Sequence, residues 1–197
     1  MKTISHCRWA VVFAALFWAA ITVCAGPGQT QTSTMPGAAT PRLTASLLAE
    51  LEKQMFDLVN RDRQDPAYSA ETHGQAQPLK WNEKLAAVAR AHSRDMVEKG
   101  YFDHTDPQGT TFFARIIAAG IPWRSMAENI ADNPTVRGAE ASFMREPPFK
   151  PNHRANILNV KATDIGIGIV QRLNGDLYIT QDFVETPPSP SGGSSAR

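Results

Sequence analysis

Cysteine is almost missing from this chain. Of its 197 residues only Cys7 and Cys24 carry a thiol. Both precede residue 25, so a domain that begins later has no disulfide and no cysteine nucleophile, and core packing must stabilise it. A surplus of positive charge is missing too: 20 Lys and Arg stand against 19 Asp and Glu, a formal net charge of +1. With no basic run either, nucleic acid is excluded as the main partner. Long apolar stretches are confined to one place, WAVVFAALFWAAITV, which follows Lys2 and Arg8 and closes on CAG. It is shorter than the roughly 20 residues a membrane span needs. A basic start, an apolar run and a small residue at the end predict a secretory signal peptide over residues 1–25. Lipidation at Cys24 is disfavoured, because Ile21, Thr22 and Val23 are a poor approach to a lipoprotein cleavage site. The expected location is therefore secreted or periplasmic, with no transmembrane segment after cleavage. Familiar catalytic motifs are absent as well: there is no G-x-S-x-G elbow, no H-E-x-x-H pair and no phosphate-binding glycine loop.

What is present begins with a change of composition. Residues 26–42 are rich in Gly, Pro, Thr and Gln without apolar periodicity and read as a flexible linker, and residues 186–197 read the same way. One folded domain is expected over residues 43–185. Leu47, Leu51, Met55 and Leu58 or Val59 share a face of a first helix. A second helix is capped by Asn82 and closed by Gly100, with Leu85, Val88 or Ala89, His92 and Met96 as its buried stripe. A third starts at Thr110 or Thr111 and runs to Gly120. A fourth is expected from Asn133 with Pro134 in its first turn, carrying Val136, Ala139 and Phe143 on one side. Asn152 can cap a short helical turn in NHRANILN. Beyond it the period changes from helix to strand. Ile165, Ile167 and Ile169 alternate with Gly166 and Gly168, and Asn174–Gly175 offers the two positive-φ residues of a tight hairpin turn. The returning strand puts Leu177, Ile179 and Phe183 on one face, with Tyr178, Thr180 and Asp182 on the other. Glycines opposite isoleucines predict that something packs closely against the second face too. The fold class is α+β, with helices covering both sides of a small antiparallel sheet.

The polar residues that could carry chemistry stand at element ends: Asp103, His104 and Asp106; Glu128 and Asn129; Glu146; His153 and Arg154. His92 lies on an apolar stripe and reads as a packed core histidine, and His73 reads as exposed. Asp103 and Asp106 read as turn formers. Glu128 and Asn129 admit a structural reading as a hydrogen-bonded brace for a loop.

LVNRDR, LKWNEKLAAVARAHSRDMVEKGYFDHTDPQGTTFFARIIAAG, AENIA, NHRANILN, DIGIGIV and YITQDF occur in the order found in the CAP superfamily, which groups cysteine-rich secretory proteins, antigen 5 and pathogenesis-related-1 proteins. From Met55 to Val184 the chain resembles its bacterial, disulfide-free SCP-like branch. The resemblance implies a three-layer α-β-α sandwich. It also implies a cavity lined by two histidines and two glutamates. His104 matches the first histidine and Glu128 the first glutamate. Glu146, three residues after Phe143, matches the second glutamate, although Trp is usual where Phe143 stands. The second histidine normally heads an H-Y-T-Q segment; YITQ puts Tyr178 there, and His153 of the H-R-x-N-I-L motif is the available second imidazole.

Two imidazoles with one or two carboxylates can hold a borderline cation such as zinc and leave a place for water. His104 and His153 are then the expected metal ligands, and a zinc-bound water near neutral pH would permit hydrolysis. Without metal, the same residues make a polar pocket with pH-dependent charge. The preferred expectation is a binding module for an extracellular lipid, a cell-envelope component or a protein, with no cofactor required. The alternative is a zinc-assisted hydrolase acting on peptides or cell wall, with Glu128 as general base.

Overall fold

The computed structural model describes residues 41–188. The expected signal peptide, most of the expected linker and residues 189–197 lie outside the described residues. The first helix, α1 (Ala45–Gln64), starts where the Thr44 side chain accepts from the Leu47 N–H. Its inner face carries Met55 and Val59, whereas Leu47 is solvent-exposed. A 3-10 turn (Pro66–Tyr68) and the single turn α2 (Ser69–Thr72) follow it. A two-residue strand, β1 (Lys80–Trp81), leads into α3 (Glu83–Lys99). Asn82 caps that helix and Gly100 ends it at φ 71°, a left-handed conformation that glycine adopts without penalty. The short helix α4 (Phe112–Ala118) follows, with Thr111 as its cap.

Next comes a strand, β2 (Ser125–Asn133), where a loop was expected around Glu128 and Asn129. The fourth predicted helix, α5, covers Val136–Met144 and is capped by Thr135. Asn133 is the last residue of β2, so Pro134 precedes the helix rather than opening it. Asn152 caps α6 (His153–Leu158) as expected. The chain continues into the hairpin β3 (Asp164–Gln171) and β4 (Leu177–Glu185). Its turn differs from the expected one. Gly175 N–H bonds to the Arg172 carbonyl and Arg172 N–H to the Asp176 carbonyl, while Gly175 alone has positive φ, at 99°. That is a three-residue loop with a glycine bulge, the next most common way to join such strands.

The four strands form one sheet in the order β1-β3-β4-β2. β3, β4 and β2 are antiparallel, and β1 adds a short parallel edge against β3. On one face Ile165, Ile167, Ile169, Ile179 and Phe183 meet Met55, Val59, Phe143 and Ile157 in the main core. On the other face lies α3. There Gly166 and Gly168 supply the close approach that their spacing predicted: a Cβ would stand 2.2 Å from Ala86 N at the first and 2.1 Å from Arg90 N at the second. Ser93 of α3 completes the contact by donating to the Gly168 carbonyl at 2.9 Å. The architecture is therefore the three-layer sandwich, with α1, α5 and α6 on one side and α3 on the other.

Two ion-pair and hydrogen-bond clamps fix the layers. Glu52 of α1 takes Arg90 of α3 at 2.6 Å and accepts from Ile169 N–H at 3.3 Å. The buried Arg63 guanidinium donates to the carbonyls of Gln77, Ile157, Asn159 and Ala162, so four separate carbonyls beyond α1 are tied to its end. Because the domain has no disulfide, such long-range bonds and the core carry its cohesion.

Candidate functional site

The loop between α3 and α4 is built by its aspartates. Asp103 accepts from Thr105 N–H at 2.8 Å, and Asp106 accepts from Gln108 and Thr110 N–H at 2.9 and 2.7 Å. These side-chain turns position His104 at the edge of β2. Its Nδ1 donates to Glu128 Oε1 at 2.8 Å. Arg115 of α4 holds the other carboxylate oxygen at 2.9 Å and also donates to the His104 and Thr110 carbonyls. The Glu128 side chain is fully buried, whereas that of His104 is 44% exposed. The hydrogen bond to Glu128 raises the His104 pKa, against the opposing effect of burial.

Two further groups complete this centre. His92 of α3 is buried with Nε2 3.9 Å from Glu128 Oε2; burial lowers its pKa, and the charge on Glu128 opposes that only in part. Asp182 of β4 lies directly across the strand pair from Glu128. It is fully buried and neither of its oxygens meets a donor. Sequence reading placed Asp182 on the correct face of its strand, together with Tyr178 and Thr180, but gave it no part in the site. It also passed over Arg115. An acid in the middle of YITQDFVE, on the face that carries the glycine contact, was the available signal for the former.

Glu146 and His153 make a second pair. His153 Nδ1 donates to Glu146 Oε1 at 2.6 Å, and the His153 N–H donates to Oε2 at 2.8 Å. The imidazole also lies on Phe143, with ring centroids 4.7 Å apart. Its side chain is 32% exposed. Arg154 anchors the segment through a bidentate contact with Glu71 and a 2.6 Å bond to the Met144 carbonyl.

The link between the two pairs is the dipeptide Glu128–Asn129. Successive side chains of a strand point to opposite faces, so Glu128 joins His104 on the α3 side while Asn129 joins α6 on the other. Asn129 donates to the His153 carbonyl at 3.2 Å and to Gln181 at 2.9 Å, and it accepts from Asn156 at 2.8 Å. Gln181 in turn donates to Glu140 at 3.1 Å. Glu140, buried on α5, adjoins a cavity of about 420 Å³ between α1 and α5, whose wall includes Leu58, Asp62, Tyr68 and Met144.

His104, Glu128, Glu146 and His153 thus stand as two hydrogen-bonded pairs. Each Nδ1 is engaged by its own carboxylate, which leaves Nε2 as the ring nitrogen open to a ligand on both histidines; among the described residues no group of three or more His, Cys, Asp or Glu stands together as a metal cluster. Tyr178 is also separate. It packs with Met96 and Ile130, against Phe102 at 5.2 Å and beneath Arg172 at 4.7 Å. It makes no hydrogen bond to either pair, because it sits four residues along β4 from Asp182.

Comparison with known proteins agrees with this fold. The chain is 34% identical over 140 residues to the uncharacterized protein YkwD of Bacillus subtilis (strain 168), covering 71% of this chain and 49% of YkwD. It is 31% identical over 134 residues to the uncharacterized membrane protein YlbC of the same organism, covering 68% of this chain and 34% of YlbC. It therefore spans half or less of the length of these relatives. Among solved structures, an extracellular protein containing a SCP domain from Bacillus anthracis str. Ames superposes with a TM-score of 0.59 at 26% identity, over 75% of this chain and 45% of that one. An outer surface protein from Borrelia burgdorferi shares the fold, with a TM-score of 0.60 at 15% identity over 75% of this chain and 98% of its own. The model of the cysteine-rich secretory protein family (CAP) matches residues 56–183. That match spans well over half of the chain, and two relatives more than 30% identical cover two thirds of it: the protein belongs to the CAP family.

Proposed function

We propose that the domain is a secreted, non-catalytic binding module for an extracellular or cell-envelope ligand, a lipid, a wall component or a protein, recognised at the His104–Glu128 and His153–Glu146 pairs. The observation that carries this reading is the state of the two imidazoles. Each is fixed through Nδ1 by a carboxylate, and its side chain remains partly open to solvent. Among the described residues no serine or threonine hydroxyl bonds to either ring, so the arrangement orients a hydrogen-bonding edge without activating a nucleophile. Such fixed donors recognise a ligand at low entropic cost. Secretion is supported by the N-terminal signal pattern and by the extracellular SCP-domain relative. Among the described residues no helix is long and apolar enough to cross a membrane.

The test compares the parent with His104→Ala and His153→Ala, each isolated from the native source and analysed by native mass spectrometry. A co-purifying molecule that is lost from either variant supports the reading. Turnover of peptide or peptidoglycan by the zinc-loaded parent, abolished by Glu128→Gln, would replace it with hydrolysis.

A further inference from the structure

Of the two outer strands of the sheet, β1 has two residues and β2 has nine. The register fixes which way the β2 backbone faces. In an antiparallel ladder, alternate residues turn both main-chain groups toward the same neighbour. The Val184 carbonyl accepts from Thr163 N–H, so Val184 faces β3; the Glu185 carbonyl accepts from Arg124 N–H, so Glu185 faces β2. Val184, Asp182, Thr180 and Tyr178 therefore turn away from β2, and their partners Met126, Glu128, Ile130 and Asp132 turn away from β4. The N–H and C=O groups of these four residues line the outer edge. Among the described residues one bond reaches that row, from Asn156 Nδ2 to the Glu128 carbonyl at 3.5 Å. The row is open but recessed. The Glu128 side chain has no exposed surface, yet the residue keeps 4%, which is backbone; Ile130 keeps 7%, while Asn129, whose main chain faces β4, keeps none. His104 stands on the α3 side of the row through its bond to Glu128, and His153 on the other side, where its carbonyl takes Asn129.

We propose that an extended peptide segment of a partner protein adds to the outer edge of β2 as a fifth strand, lying between His104 and His153. The proposal rests on the binding reading above and names the class of ligand. The outward groups recur every second residue, about 6.8 Å apart. That is the repeat of an extended polypeptide, whereas an acyl chain offers such a row no partner at all. In strand addition the main-chain bonds supply affinity, and the surroundings of alternate side chains supply choice. Here alternate side chains of the added strand turn to the His104 side and to the His153 side. The recess decides the occupant's shape. A second copy of this domain carries its own β2 edge sunk in the same way, so two such edges do not meet, but a single slender chain enters. The other end of the sheet gives no comparable opening: Glu52 takes the Ile169 N–H there, and Ile167 has no exposed surface.

The experiment reads backbone amides of the intact protein by NMR. Without peptide, the amides of Met126, Ile130 and Asp132 should exchange with solvent at least about tenfold faster than those of Ala127, Asn129 and Ala131; equal protection would mean a closed edge and overturn the proposal. The probe is an acetylated hexapeptide amide of alternating threonine and alanine, compared with a twin methylated at every amide nitrogen. Saturable shifts of the outward amides with the first and none with the second support strand addition. No shift with the first, or equal shifts with both, overturns it. Asp132→Pro removes an outward N–H and no ladder bond, so it should fold and weaken the peptide about fivefold or more; unchanged affinity counts against the proposal, and if the variant does not fold the methylated twin decides alone. Shifts of the same amides that grow with protein concentration in the absence of peptide would assign the edge to a second copy, which also overturns it. A co-purifying molecule lost from His104→Ala, together with an edge that ignores the peptide, leaves the binding reading standing and refutes only this one.

Discussion

Replacing Glu140 by glutamine should make the protein more stable, by an amount that grows with pH. Glu140 sits on the inner face of α5 with 1% of its surface exposed. One carboxyl oxygen accepts from Gln181 at 3.1 Å, and the other has no donor. Burial raises its pKa from the ordinary 4.5 to about 8; the Gln181 hydrogen bond opposes this, and the charge on nearby Asp62 adds to it. The unfolded chain gives up this proton near the ordinary value, while the folded chain holds it to about pH 8. The native state is therefore favoured below the lower value and loses that advantage progressively as pH rises through the interval, then stays level. At 1.36 kcal/mol per pH unit the whole interval amounts to roughly 5 kcal/mol. Relaxation of the site reduces that, so a gain of about 2–4 kcal/mol at pH 8 is the working figure for Glu140→Gln. The glutamine carbonyl keeps the acceptor for Gln181, and its amide cannot ionise. Urea denaturation followed by circular dichroism at pH 4.5, 6, 7 and 8 measures the difference directly. A variant whose advantage is the same at every pH would refute the argument, because a proton-linked penalty must vanish where both states are protonated.

Two other perturbations test the frame and the site. Gly168→Ala places a Cβ 2.1 Å from Arg90 N and 2.2 Å from Ala89 C, well inside the 3.5–4.0 Å of ordinary carbon contact. Since the obstacle is helix backbone, α3 must lift from β3 at a cost of about 3 kcal/mol or more; a variant whose urea-derived stability stays within about 1 kcal/mol of the parent would show that α3 is not seated on the strand. His104→Ala removes a group whose folded pKa is raised by Glu128. Its stabilising effect is fully present below the unfolded pKa and is lost as pH rises through the folded one, so the thermal midpoints of variant and parent should converge toward pH 8 and separate toward pH 5. Equal separation at both ends would remove the charge-assisted pair from the account.

The sequence was most legible where a local rule had no competitor. Asn82 and Asn152 cap their helices, Gly100 ends α3, and Gly166 and Gly168 admit it to the sheet. Each of these depends on one residue type doing what few others can. The resemblance to the CAP superfamily placed His104 and Glu128, which meet, and Glu146 and His153, which also meet. Less was legible where tertiary pairing overrides composition. SMAENIADN holds one β-branched residue, Ile130, and is otherwise rich in Ala, Glu, Asn and Asp, which are depleted from strands. It is a strand because β4 pairs with it along its whole length. The two-residue β1 is too short to show any period, and the glycine bulge in the β3–β4 loop differs from a tight turn only in where the strands stop. Arg115 was illegible for another reason: its reach from α4 to Glu128 spans 13 residues of sequence, and no spacing rule covers it.

The edge strand also explains why the four side chains stand as two hydrogen-bonded pairs. Glu128 and Asn129 are consecutive, so a single strand sends its carboxylate to α3 and α4 and its amide to α6, and each face builds its own polar centre. A slip of one residue in the pairing of β2 with β4 would exchange them. The buried carboxylate would then enter the layer occupied by Ile179 and Phe183, while Asn129 would face Arg115 and His104 without a charge to offer them. Register is held against that outcome from both sides, by Arg115 and His104 on Glu128 and by Gln181, Asn156 and the His153 carbonyl on Asn129. The two centres are therefore mechanically joined through one strand. A ligand that draws His104 away from Glu128 loosens one side of the strand that also positions His153, so any coupling between the pairs passes through the backbone of residues 128 and 129.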